Sequence, residues 1–246
     1  MRQRLVAAFA LALVLTHIPL YGAQAAEESW LSTITDSDQV VLVTAVNTQS
    51  TTGKLSSYQR IDGQWQQIQP AVSVFLGRSG LTPAKLRVQS SGTTPMGTFG
   101  LTTAFGRETN PGTQMPYTHL DHDDAWTYNP RVPRTYNLFQ SAKRNWRSYG
   151  KYVEHLWALG PQYDYVVTTT FNEPEGPVLQ SADGVNRVTA SANTKLGGGI
   201  FLHVSKGVPT AGCISMNKKV MRALVQWLTP AAHPVVVIGL ERNFRM

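Results

Sequence analysis

The apolar residues of this chain come in short runs set close together, a pattern that favours sheet. Residues 40–46 are β-branched and apolar, residues 54–61 alternate loosely, and residues 72–76 form another apolar run. After the second run comes Asp62-Gly63, ahead of Gln64 and Trp65, which is a hairpin signal. Residues 163–171 make a further strand rich in β-branched residues, and residues 234–240 (PVVVIGL) read as a buried final strand. Helical spacing takes over from Met216, which shares one face with Val220, Ala223, Leu224, Trp227 and Leu228. Residues 151–159 read as a short helix, or as a strand ending at Gly160-Pro161. The expected architecture is mostly β, with one helix late in the chain.

The start of the chain reads as a secretory signal over residues 1–25. Arg2 and Arg4 form a basic end, residues 5–15 are an unbroken apolar run, and Ala23-Gln24-Ala25 is a small-residue cleavage site. The run is short of the roughly 20 residues that span a bilayer core, so no stable membrane insertion is expected. Residues 26–37 read as a short leader, and residues 38–241 as one domain. The protein is expected outside the cytoplasm, periplasmic or wall-associated, as a monomer. The two arginines account for part of the net charge of +7, leaving +5. That excess suits an anionic wall or an ordinary solvated surface. Its basic residues are scattered, with no Lys/Arg block, which argues against nucleic acid.

Export gives the cysteine count its meaning. Cys213 is the single cysteine, so an internal disulfide is excluded; an intermolecular pair or a reactive thiol remains. It lies in GGGIFLHVSKGVPTAGCISM, residues 197–216, with His203 ten positions earlier. Ile200, Phe201 and Leu202 carry the histidine, a turn-rich segment follows, and Gly212 precedes the cysteine. An imidazole and a helix N-terminus both favour a thiolate, and the Gly212 and Cys213 amides are placed to meet an oxyanion. The bland alternative is a buried, inert cysteine beside a structural histidine.

This stretch resembles the active-site motif of the L,D-transpeptidase (YkuD-like) family, in which a strand-ending histidine, a loop and a Ser/Thr-x-Gly-Cys-x-Arg segment follow in order. The match implies His203 as base, Thr210 at the Ser/Thr position and Cys213 as nucleophile. Three positions depart from the pattern: Val204 replaces a glycine, Ala211 a histidine, and Ser215 the arginine. Thr94-Pro95-Met96-Gly97-Thr98-Phe99 resembles a second family element, and reads physically as a Pro-Gly turn feeding a strand over residues 98–104.

The resemblance implies a YkuD-type β-sandwich with the helix after the catalytic cysteine. It implies an acyltransferase acting on peptidoglycan stem peptides through a thioester, with no cofactor. Hydrolysis by the same site, as a carboxypeptidase or endopeptidase, is one alternative; a wall-binding protein with a degenerate site is another. Residues 107–160, rich in aromatics, Pro, Asn and Asp, read as a cleft wall or lid. Tyr136, Asn137, Asn172, Thr210 and Ser215 are the candidate substrate contacts. His119 and His122 lack both the helical His-x3-His spacing and a third ligand, so no metal is expected.

Overall fold

The computed structural model describes residues 30–142 and 146–244. The signal expected over 1–25 and the first part of the leader lie outside them. Among the described residues the chain is mostly β, with one α-helix, α1 (Lys218–Trp227). The strands are, in order, β1 (Gln39–Ala45), β2 (Thr52–Ile61), β3 (Gln64–Phe75), β4 (Leu81–Pro83), β5 (Thr94–Gly106), β6 (Tyr117–His119), β7 (Ala125–Thr127), β8 (Leu138–Gln140), β9 (Val153–His155), β10 (Val166–Thr169), β11 (Leu179–Gln180), β12 (Asn186–Arg187), β13 (Phe201–Val204), β14 (Ile214–Met216) and β15 (Val235–Leu240).

The main sheet runs β10-β13-β14-β3-β2-β1-β15-β5-β4, with β6 on β5 and a further β10–β5 pairing that closes it. Strand β5 makes the closure possible because it is long enough to serve two neighbours. Residues 97–100 pair with β15, and residues 101–105 pair with β10. The change happens at Gly100, whose N–H donates to Thr170 Oγ1 (2.8 Å) and whose carbonyl accepts from Thr170 N (2.9 Å). A Cβ there would sit 2.9 Å from Thr170 Cγ2, so glycine is what lets the strands approach.

Burial follows the sequence pattern. β1 is apolar on both faces because both are covered: Val41, Val43 and Ala45 enter the main core, while Val40 and Leu42 pack with Leu31, Tyr58 and Val237. The Asp62-Gly63 hairpin forms between β2 and β3, both residues having positive φ (51° and 80°), as a tight primed turn requires. In α1, Met221, Leu224 and Val225 are buried, followed by Leu228; this i, i+3, i+4, i+7 stripe faces the core.

Several local expectations are corrected. Thr94 and Pro95 do not turn; they begin β5 and pair in parallel with Leu81 and Thr82 of the edge strand β4. Residues 151–159 give the short strand β9 flanked by 3-10 turns. Cys213 does not open a helix. Strand β14 intervenes, and Asn217 caps α1 by accepting from Lys219 N (2.8 Å). Ala223 faces solvent.

Candidate active site

Pleat geometry selects which side chains meet. Along β13, Leu202 and Val204 point into the main core, while Phe201 packs on the opposite face. His203 therefore sits at the boundary of that opposite face, with its ring 5.5 Å from Tyr163. β14 runs parallel to β13 with His203 across from Ser215, and its Ile214 and Met216 also enter the core. Cys213, just before β14, packs with Phe201 and Trp126 on the far side. The small sheet β8-β7-β9 and the turns after it fold over this side, bringing Trp126, Phe139 and Leu156 onto Phe105 and Phe201.

Two cavities flank the sulfur. The larger, of about 250 Å³, is lined by Tyr163, His203, Lys206, Thr210, Cys213 and Ser215 among others. The smaller, of about 110 Å³, is lined by Arg87, Gln89, Tyr128, Glu154 and Cys213, with the 197–199 glycine loop as its floor. Glu154 and Cys213 border both.

The resting pair is not a thiolate and an imidazolium. The Cys213 thiol donates to Gly199 O (3.2 Å) and its sulfur accepts from Phe201 N (3.4 Å). Burial, reinforced by Glu154, pushes the thiol up to about 12, against the Phe201 amide and the Arg87 guanidinium. His203 is pushed down to about 4, mainly by burial, although its hydrogen bonds to the Val204 and Gln162 carbonyls favour the charged ring. Its Nδ1 lies 2.9 Å from Val204 O and so carries a hydrogen. The helix N-terminus expected to help the thiolate is not at the sulfur, because β14 separates them.

These shifts predict a stability window. The unfolded imidazole takes up a proton near 6.5, whereas the folded one resists until about 4. Stability is therefore lost as pH falls from 6.5 to about 4, by up to about 3 kcal/mol from this group. The unfolded thiol ionises near 9.0 and the folded one near 12, so stability also falls as pH rises through that interval. Glu154, whose carboxyl burial raises, opposes the acid limb. The His203 contribution is accordingly read as the difference in melting temperature against pH between the wild type and His203→Gln, which is expected to flatten the acid limb.

Of the other expected contacts, Thr210 and Ser215 line the larger cavity. Thr210 Oγ1 donates to Cys213 O (2.7 Å) and accepts from Gly212 N (3.0 Å), so the Gly212 amide expected at an oxyanion is already engaged. Ser215 is buried, and its Oγ has no hydrogen-bond partner among the described residues. Tyr136 is fully buried and its hydroxyl donates to Gln89 Oε1 (3.1 Å). Asn137 accepts from Trp126 Nε1 (3.0 Å) and Gly199 N (2.8 Å), and donates to the Phe171 and Asn172 carbonyls. Asn172 donates to Asn193 O (2.9 Å) and Gly197 O (2.6 Å). Tyr136, Asn137 and Asn172 line neither cavity at the sulfur, and Asn137 borders a third cavity with Trp126 and Phe139. Arg87 and Glu154, which do face the cavities, carry no motif in the sequence.

Compared with known proteins, residues 50–237 match the family model of the L,D-transpeptidase catalytic domain, YkuD. Among solved structures, a match is the crystal structure of the helical cell shape determining protein Pgp2 from Campylobacter jejuni, at 16% identity and a TM-score of 0.39. The alignment covers 88% of this chain and 56% of that one, so this chain spans little more than half its length. No curated protein matches the chain.

Proposed function

We propose that this chain, which belongs to the YkuD family of L,D-transpeptidase catalytic domains, is an exported cysteine acyltransferase acting on peptidoglycan stem peptides. The observation that carries the reading is that His203 on β13 and Cys213, just before the parallel neighbour β14, line one cavity. The basic and apolar start of the sequence supports export. No helix among the described residues is long and apolar enough to cross a membrane.

Because both groups rest neutral, attack and proton transfer are coupled. The Cys213 sulfur bonds to the carbonyl carbon of an L,D-peptide bond as its proton passes to His203. The carbonyl oxygen becomes an oxyanion, met by the Cys213 amide. The C–N bond then breaks, His203 returns the proton to the departing amine, and a thioester remains. An amine of a second stem attacks the thioester, gives up its proton, and releases the sulfur. Water in its place yields the shortened stem instead.

Intact-protein mass spectrometry with a disaccharide-tetrapeptide tests this. The expected result is a covalent adduct lacking the terminal amino acid, followed by a crosslinked dimer. A tripeptide product instead assigns hydrolysis to the same site. Absence of adduct and product, together with no acylation by a carbapenem, overturns the reading.

A further inference from the structure

The third cavity, of about 270 Å³, is lined chiefly by β5, β8, β10 and the loop after β10, and it shares no lining residue with the two at the sulfur. A strand sends consecutive side chains to opposite faces, yet Thr102 and Thr103 both line this cavity. A bulge is the reason. Val167 pairs with Ala104 and Thr169 with Leu101, so two residues of β5 stand opposite Thr168 alone. Bulges recur beside functional sites because they re-aim side chains in this way. Here the Thr102 and Thr103 hydroxyls both reach the buried Thr168 Oγ1, at 3.3 Å and 2.9 Å.

The protons of this hydroxyl chain run one way. The Thr102 hydroxyl donates to the Glu173 carboxylate, so towards Thr168 it can only accept. Thr168 has one proton, which serves Thr102 Oγ1 or Thr103 O (both 3.3 Å), so Thr168 Oγ1 accepts from the Thr103 hydroxyl. Lone pairs are left at both ends, on Glu173 and on Thr103, and both residues are exposed. The polar wall therefore calls for a ligand that donates at two places. The other wall is apolar, with Leu138 and Pro174 beside the half-buried Phe139 ring and Val178, which is 50% exposed. We propose that this cavity binds a saccharide ring, its hydroxyls donating to Glu173 and Thr103 and its C–H face resting on Phe139 and Val178. A ring with donors round its edge and carbon on its face matches both walls at once. A bare cation would use the carboxylate and leave the Thr103 end unmatched. The proposal stands apart from the reading of Cys213.

Isothermal titration calorimetry of the protein with the trimer of N-acetylglucosamine and with maltotriose tests this, the two arms separating an amino-sugar polymer from a plain glucan. Saturable heat from either trimer is the expected result. Thr103→Val, which keeps the shape of the side chain, and Glu173→Gln are each expected to weaken that binding roughly 10-fold. Both positions are exposed, and both variants are expected to acylate at Cys213 with a carbapenem at the wild-type rate, so the loss is local to this cavity. Heat from neither trimer overturns the proposal and leaves the Cys213 reading standing. Wild-type affinity in both variants also overturns it, because the saccharide then sits elsewhere. Saturable binding of tetramethylammonium in place of both trimers overturns it in favour of a cation site.

Discussion

Cys213→Ala is expected to form no covalent adduct, and His203→Gln to form it roughly 10²- to 10⁴-fold more slowly than the wild type. The two variants separate nucleophile from base, and their pH profiles separate base from scaffold. In the wild type both groups are neutral between about 4 and about 12, the values that burial imposes on His203 and Cys213. Attack that moves the thiol proton to a neutral imidazole depends on that shared state, so its rate is expected to rise through pH 4 and then stay level across neutrality. Without the imidazole, the only nucleophile left is the small thiolate fraction, which grows tenfold for each pH unit below the thiol pKa. His203→Gln is therefore expected to show a steep alkaline rise where the wild type is flat. The measurement is adduct formation by intact mass at a series of pH values. A flat profile in His203→Gln would mean that the histidine does not take the thiol proton. Cys213→Ala loses the bonds to Gly199 O and from Phe201 N, a cost of about 1–2 kcal/mol. It should still fold, so its silence is chemical.

How legible this site was depends on whether a residue's role is set locally or by the closed sheet. Cys213 and His203 were visible because strand, loop and Gly-Cys step lie within one short stretch. The apolar stripe of α1 and the doubly covered β1 were visible because periodicity reports burial directly. Arg87 was not, since its partner Leu196 is 109 residues away and its own surroundings, Leu86 and Val88, read as an ordinary extended segment. Glu154 sits between Val153 and His155 in a three-residue strand, where nothing in the alternation marks a carboxyl turned toward sulfur. Thr94-Pro95 reads as a turn, yet Pro95 is tolerated in β5 because its neighbour there is the terminal strand β4. The asparagines illustrate a related point. A polar residue in a loop looks like a ligand contact, but a buried one is first obliged to satisfy the backbone around it.

Asn137 makes that obligation measurable, and Asn137→Ala is expected to destabilise the protein by about 3–5 kcal/mol. One small side chain joins three segments. It accepts from Trp126 Nε1 on β7 and from Gly199 N in the glycine loop, and it donates to two carbonyls after β10. Alanine leaves all four groups without a partner in a site that is 3% exposed. Its backbone also holds φ at 58°, where asparagine is tolerated and alanine costs about 1 kcal/mol more. The melting temperature is expected to fall by roughly 6–20 °C for a chain of this size. Asn137→Asp divides the effect. Its carboxylate keeps the acceptor for Trp126 and Gly199, but turns a second oxygen toward the Phe171 and Asn172 carbonyls. That repulsion is relieved when the carboxyl is protonated, so Asn137→Asp is expected to recover stability relative to the wild type as pH falls. The consequence reaches the sulfur, because Gly199, held by Asn137, supplies the carbonyl that accepts from the Cys213 thiol. Releasing the loop frees that thiol, and Asn137→Ala is expected to alkylate faster with iodoacetamide while still folded. An Asn137→Ala protein that melts with the wild type, and whose thiol reacts no faster, would show that the glycine loop is held by Asn172 alone.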